Sequence, residues 1–103
     1  MLSLRPNCEH CNVDLPADSE QAKVCSFECT FCVSCADDVL GNCCPNCGGG
    51  FQFRPIRPSV NFKDGNYLGN HPAQVDRLYR PVNISEHAVF AQKVLNLKFT
   101  QEK

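Results

Sequence analysis

The sequence predicts a small, metal-stabilised α+β domain, followed by an extension that ends in an amphipathic helix. Three observations lead to this fold class. Nine of the 103 residues are cysteine, and all nine lie within residues 1–50. Eight of these cysteines fall in closely spaced pairs, as the ligands of structural metal sites do. Residues 59–103 contain no cysteine, and they are rich in turn signals before a final helical pattern begins.

So many cysteines can either bind metal or form disulfide bonds, and the redox state of the cellular compartment determines which. The N-terminal segment Met1–Cys8 has neither the apolar run nor the cleavage site of a secretory signal. No stretch approaches the ~18 apolar residues that a membrane span needs. We therefore expect a cytoplasmic protein without a membrane segment, in which the thiols stay reduced and can bind metal.

The eight paired cysteines follow the pattern C-x2-C-x13-C-x3-C-x2-C-x2-C-x8-C-x2-C. A C-x2-C turn, or knuckle, directs two thiolates at one tetrahedral zinc ion, with Zn–S distances near ~2.3 Å. The residue after such a knuckle often needs a positive φ, which Asn and Gly tolerate best. Asn12 and Gly48 stand at these positions of the first and last knuckles. The pattern predicts two structural zinc ions, each closed by four cysteines.

Local structure indicates which pairs share an ion. Residues 22–25 and 29–31 can form a hairpin with its turn at 26–28, and residues 36–40 can form a short helix that Gly41 ends. A knuckle, a hairpin and a helix that begins at a ligand pair together make a treble clef, in which the first knuckle shares its metal with the helix pair. Site one is then predicted to contain Cys8, Cys11, Cys32 and Cys35, and site two Cys25, Cys29, Cys44 and Cys47. Sequential pairing of neighbouring knuckles is the alternative.

The remaining thiol and the histidines receive ordinary structural roles. Cys43 is the ninth cysteine, and we expect it to lie beside site two without binding metal, because Cys44 belongs to the better knuckle. We interpret His10 as a solvated loop residue inside the first knuckle. We expect surface or core roles for His71 and His87.

The segments Leu4–Glu9, Leu15–Pro16, Cys25–Cys32 and Cys44–Gly49 together resemble a family of short bacterial cysteine-rich proteins, catalogued as a domain of unknown function. The resemblance is specific over residues 2–58, and it implies bacterial origin and metal binding without an assigned activity. The cysteine spacing also resembles the interleaved cross-brace of a RING finger, with Cys29 where RINGs usually place a histidine. Ligase RINGs tend to carry an aliphatic residue after the second ligand and a basic residue after the last, where this chain has Asn12 and Gly48.

The chain is expected to divide near residue 58. Residues 1–58 form the predicted two-zinc RING-like domain, and residues 59–103 form a basic, turn-rich extension. Ser85 can cap a helix over about 86–98, whose apolar face contains Phe90, Val94 and Leu97. So short a helix is marginal alone in water. We expect this face to pack on its own zinc domain or on a second copy, which would form a homo-oligomer.

The composition favours a non-enzymatic zinc protein that binds a protein partner, because the predicted metal sites are closed and no catalytic cluster is evident. Residues 1–50 carry two of the ten basic residues and seven of the eleven acidic ones, so the second half is basic. Nucleic-acid binding by that half is therefore the first alternative. It would use Arg54, Arg57, Lys63, Arg77 and Arg80, with Phe51, Phe53, Tyr67 and Tyr79 for base stacking. RING-type ubiquitin-ligase activity or thiol-redox chemistry is the less favoured alternative.

Overall fold

In the part of the chain that the structure describes, the regular structure consists of a three-stranded antiparallel sheet, a π-helical turn and one long helix. The computed structural model describes the backbone of residues 2–101 and the side chains of residues 2–97. The elements are β1 (Ala22–Val24), β2 (Thr30–Cys32), a π-helical turn (Cys35–Val39), β3 (Gln52–Phe53) and α1 (Ile84–Gln101). The strand order is β2-β1-β3. A small α+β fold is confirmed at this level. None of the helices in the described part of the chain is both long and apolar enough to cross a membrane.

The hairpin of β1 and β2 separates the central cysteines into two groups. Ala22 pairs with Cys32, and Val24 pairs with Thr30. At the turn, the Cys25 amide donates to the Cys29 carbonyl over 3.1 Å. The predicted hairpin is therefore confirmed. Because β2 runs away from this turn, Cys25 and Cys29 lie at one end of the hairpin and Cys32 lies at the other.

The residues on either side of the third strand are buried, and one of them is charged. The structure buries Phe51 and Arg54 and leaves Phe53 60% exposed. Arg54 is buried because its guanidinium donates hydrogen bonds to three backbone carbonyls. These are the carbonyls of Arg5, Leu15 and Pro16, at 2.8, 3.2 and 2.8 Å. These bonds satisfy the two terminal nitrogens of the guanidinium, while its buried Nε has no partner among the described residues, and they offset much of the cost of burying the charge.

The hydrophobic core and the predicted metal ligands occupy the same region. The rings of Phe31 and Phe51 meet edge to face, with their centroids 5.4 Å apart. Around them, the core cluster contains Leu15, Ala22, Ala36 and Leu40 together with Cys8, Cys25, Cys35 and Cys44. Any change in the geometry of these cysteines therefore alters the packing of the core.

The second half of the chain returns to the first and lies against it. The Gln74 amide donates to the Leu4 carbonyl over 3.0 Å, and the Arg80 amide donates to the Glu9 carbonyl over 2.8 Å. The Arg57 guanidinium bonds the Leu2 and His71 carbonyls. These bonds join the predicted extension to the cysteine-rich half, while the division of the chain at residue 58 stays a prediction.

The terminal helix begins earlier than the sequence predicts. Asn83, rather than Ser85, caps α1, since its Oδ1 accepts a hydrogen bond from the Glu86 amide over 3.1 Å. The side chains that α1 turns toward the domain also differ from those that the sequence predicts. His87 is buried and Phe90 and Val94 are half-buried, whereas Leu97 is exposed. His87 takes a place on this face because its Nε2 bonds the Leu40 carbonyl over 2.9 Å.

We predict that Arg54→Lys lowers the free energy of unfolding by ~1–3 kcal/mol, because one ammonium group cannot reach three separate carbonyls and leaves some of them unpaired. The measurement is urea denaturation with excess zinc present. Arg80→Lys is the matched control: the Arg80 side chain is largely exposed and its carboxylate partner lies 3.6 Å away, so the cost should stay within ~0.5 kcal/mol. Equal losses in the two variants would contradict the role assigned to Arg54.

Candidate metal centre

Four cysteine sulfurs form the first cluster. The Sγ atoms of Cys8, Cys11, Cys32 and Cys35 all lie within 4.8 Å of one another. The first two come from the N-terminal knuckle, Cys32 ends β2, and Cys35 begins the π-helical turn. The Cys11 and Cys32 sulfurs are 3.8 Å apart. Tetrahedral coordination at Zn–S distances of ~2.3 Å requires sulfurs about 3.8 Å apart, so this spacing suits a metal ion between them.

The first knuckle has the conformation that its sequence predicts. The Asn12 amide donates to the Cys8 carbonyl over 2.9 Å, and Asn12 has a φ of +65°. The buried side-chain amide of Asn7 reinforces this turn, since its Nδ2 donates to the carbonyls of Cys8 and Leu78 and to Asn12 Oδ1. The predicted positive φ after the knuckle is confirmed, and the turn directs both of its thiols to the same side.

A buried glutamate ties this knuckle to the sheet. Glu9 is only 3% exposed. Its Oε2 accepts a hydrogen bond from the Thr30 amide over 2.7 Å, and its own amide donates to the Thr30 carbonyl over 3.0 Å. Glu9 therefore fixes Cys8 and Cys11 against the strand that ends at Cys32. No role for Asn7 or Glu9 is predicted from the sequence. The one feature that could have indicated the role of Glu9 is its position, because it places a carboxylate inside a knuckle of a small domain.

Three sulfurs form the second cluster. The Sγ atoms of Cys25, Cys44 and Cys47 lie within 4.8 Å of one another, and Cys29 is not among them. Cys29 is nonetheless connected to this cluster, because its sulfur accepts a hydrogen bond from Asn46 Nδ2 over 3.3 Å. Asn46 lies inside the Cys44–Cys47 knuckle. The structure therefore places the fourth predicted ligand outside the cluster but hydrogen-bonded to a residue of its knuckle.

The second knuckle also has the predicted turn. Gly48 has a φ of +79°, and its amide donates to the Cys44 carbonyl over 2.8 Å. The Gly49 amide donates to the Cys47 sulfur over 3.4 Å. Cys43 is buried beside this knuckle, with its sulfur 3.8 Å from the Gly48 carbonyl, and it belongs to neither cluster of the described residues.

The thiols within each cluster differ in acidity. Burial raises the pKa of Cys35 and of Cys44 far above the ordinary value of a thiol. Burial also acts to raise the pKa of Cys8 and Cys25, but hydrogen bonds from neighbouring backbone amides outweigh it and lower the pKa of both. Cys8 and Cys25 thus ionise more readily than Cys35 and Cys44, which hold protons that a metal ion must displace.

His10 is not the solvated residue that the sequence analysis predicts. Its ring is half-buried, and Nδ1 accepts a hydrogen bond from the Val82 amide over 2.8 Å. The reason is the returning second half of the chain, which covers the first knuckle at this point. His10 therefore serves as a contact between the halves of the chain.

Four of the five basic residues named for nucleic-acid binding contact the chain itself. Arg54 is buried, and Arg57 bonds two carbonyls. Arg77 bonds the Asn12 carbonyl and, over 2.7 Å, Asp14 Oδ1. Arg80 lies 3.6 Å from the Glu9 carboxylate. These guanidinium groups hold loops together, and Phe51, one of the proposed stacking residues, is in the core.

Comparison with known proteins supports the resemblance noted above. The model of a family described as "Protein of unknown function (DUF1272)" matches residues 1–57. A protein of Rhizobium meliloti (strain 1021), named only as uncharacterized, is 52% identical over 81 residues, which are 79% of this chain and 89% of the relative. No solved structure matches significantly. The predicted resemblance to a cysteine-rich family of unknown function is confirmed.

We predict that binding of Zn²⁺ releases protons at neutral pH, because a thiol with the ordinary pKa of about 8.5 is mostly protonated there, and burial raises the pKa of Cys35 and Cys44 further. Since protons compete with the metal for the thiolates, the apparent affinity should fall as the pH is lowered from about 8 to about 6. Calorimetric titration in buffers of different ionisation enthalpy counts the released protons. An affinity that is constant over this range, with no proton release, would show that the thiols are not ligands.

Proposed function

Because the chain belongs to the family described as "Protein of unknown function (DUF1272)", we propose a function from the geometry of its own residues. The protein binds two structural zinc ions, and these hold a RING-like, treble-clef domain over residues 1–58 that the extension 59–103 covers. The domain serves as a protein-interaction module in the cytoplasm. Its origin is bacterial, as is that of its relative.

The first sulfur cluster carries this proposal. Four cysteines from two separate parts of the chain converge within 4.8 Å, and two of them, Cys8 and Cys35, are buried in the core. Four thiolates so close together repel one another unless a cation lies between them. Soft thiolate ligands in tetrahedral geometry select zinc or iron, and a closed site of four cysteines is typical of structural zinc.

The second zinc ion would bind Cys25, Cys29, Cys44 and Cys47. Support for Cys29 as the fourth ligand comes from its hydrogen bond with Asn46 and from the hairpin turn that it shares with Cys25. The two sites then take ligands alternately along the chain, which is the cross-brace order. This arrangement supports the treble-clef interpretation over sequential pairing.

A protein partner is favoured by the distribution of exposed apolar side chains. Phe27, at the tip of the hairpin beside the second cluster, is 76% exposed, and Phe62 and Val75 are exposed to a similar degree. A few exposed aromatic anchors of this kind are what a protein interface uses. Nucleic-acid binding has less support, because the guanidinium groups of the second half are engaged by the chain itself.

Native mass spectrometry of the purified full-length chain tests this proposal. We expect a mass increase equal to two zinc ions, and the amide dispersion of residues 2–58 in NMR spectra should collapse when a chelator removes them. The reason is that each structural zinc supplies ~10–16 kcal/mol of apparent binding free energy, far more than so small a core can provide. The mass of iron, a metal-free chain, or a spectrum unchanged after verified zinc loss would contradict the proposal.

A further inference from the structure

The helix α1 is in direct contact with the knuckle of the second cluster. Gly48, which follows Cys47, is buried and has a left-handed backbone. A Cβ atom at this position would lie 3.1 Å from Val94 Cγ2 and 3.4 Å from Phe90 Cζ. Val94 and Phe90 therefore lie directly on the backbone of the knuckle, and the absence of a side chain at Gly48 permits this approach.

The other contact of α1 is with the structure that supports the first cluster. His87 Nε2 bonds the Leu40 carbonyl over 2.9 Å, and the Leu40 amide donates to the carbonyl of Cys35 over 2.8 Å. The helix thus rests near its start on the turn that begins at Cys35, and further along on the turn that ends at Cys47.

A groove separates part of α1 from the domain. This groove of about 280 Å³ lies between the helix and residues 41–43, and Ala88, Ala91 and Leu95 line its helical side. The outer face of the helix, which includes Val89, is exposed. In proteins most of the stability of a helix comes from its packed face, and Phe90 and Val94 form the part of that face that lies on the knuckle. The docked position of α1 therefore depends on the shape of the knuckle under these two side chains.

The shape of that knuckle depends in turn on its thiols. Within it, the Gly48 amide bonds the Cys44 carbonyl, and the Cys44 amide bonds the Gly49 carbonyl, both over 2.8 Å. Two backbone bonds are a weak constraint on a loop that carries the ionisable thiol of Cys44 into the core. A metal ion that joins Cys44 and Cys47 to Cys25 would fix the loop in the conformation that α1 contacts.

We infer that docking of α1 and occupancy of the second metal cluster are thermodynamically linked. This inference rests on the proposed function and adds a means of regulation to it. Loading of the cluster favours the docked helix, and loss of the metal releases the helix and exposes Phe90 and Val94. By reciprocity, the docked helix retains the metal, so that contacts of α1 set the affinity of a site to which the helix contributes no ligand.

Equilibrium competition for zinc between full-length variants and a colorimetric chelator tests the link. Val94→Asp puts a charge against the knuckle, and Val89→Asp makes the same substitution on the 73% exposed face of the same helix, so that it controls for helix propensity. We expect Val94→Asp to bind one of its two zinc ions about tenfold more weakly than wild type, within the usual range of coupling between sites. Val89→Asp should match wild type. Equal zinc affinities in the two variants would overturn the inference.

A second measurement covers the case in which Val94→Asp does not fold. Cys47→Ser should bind one zinc ion by native mass spectrometry, and hydrogen exchange at the amides of residues 88–97 should be about tenfold faster or more than in the wild type. If these amides exchange as slowly in Cys47→Ser with one bound zinc ion as they do in the wild type, the inference is overturned. A wild-type chain that binds no zinc would contradict the proposed function as well, whereas two zinc ions with an uncoupled helix would contradict the link alone.

Discussion

The convergence of four sulfurs from distant parts of the chain is the constraint on which the rest of the structure depends. Cys8 and Cys11 lie in the N-terminal knuckle and Cys32 and Cys35 flank the end of β2, yet all four sulfurs lie within 4.8 Å. Such a cluster cannot ionise fully on its own, because each thiolate raises the pKa of the next. The high pKa of Cys35 reflects its burial first and these neighbours second. A bound cation removes this conflict and turns the cluster into a cross-link.

Polar side chains hold the loops around the clusters in place, because the strands are too short to hold them. Strands of two or three residues supply few ladder hydrogen bonds, so the loops must pair their backbone groups in other ways. Glu9 accepts a hydrogen bond that joins the first knuckle to Thr30, and Arg54 donates hydrogen bonds to three carbonyls of the N-terminal segment. The second half of the chain adds Arg77 to this network, and also the Val82 amide, which donates to His10. The protein thus compensates for a small apolar core with buried, hydrogen-bonded polar groups.

The features that could be predicted from the sequence are those that a few neighbouring residues determine. The knuckle spacing, the positive φ of Asn12 and Gly48, and the hairpin turn each depend on a few consecutive residues. The burial of Arg54 could not be predicted, because it depends on carbonyls 38 to 49 residues away. The cap residue of the helix could not be predicted either: both Asn83 and Ser85 are residue types that cap helices, and the structure uses Asn83. Whether Cys29 is a metal ligand likewise depends on how the hairpin turn packs against the knuckle of Cys44 and Cys47, which is distant in the sequence.

The central claim is that two closed, all-cysteine zinc sites hold this fold together, and the coordination of the metal tests it most directly. Zinc K-edge X-ray absorption of the full-length protein, loaded with two equivalents of zinc, reports the average number and type of ligand atoms. The account predicts four sulfur neighbours at ~2.3 Å and no lighter atoms. A contribution from nitrogen or oxygen at ~2.0–2.1 Å would contradict it, since one of the eight assigned cysteines would then not bind the metal.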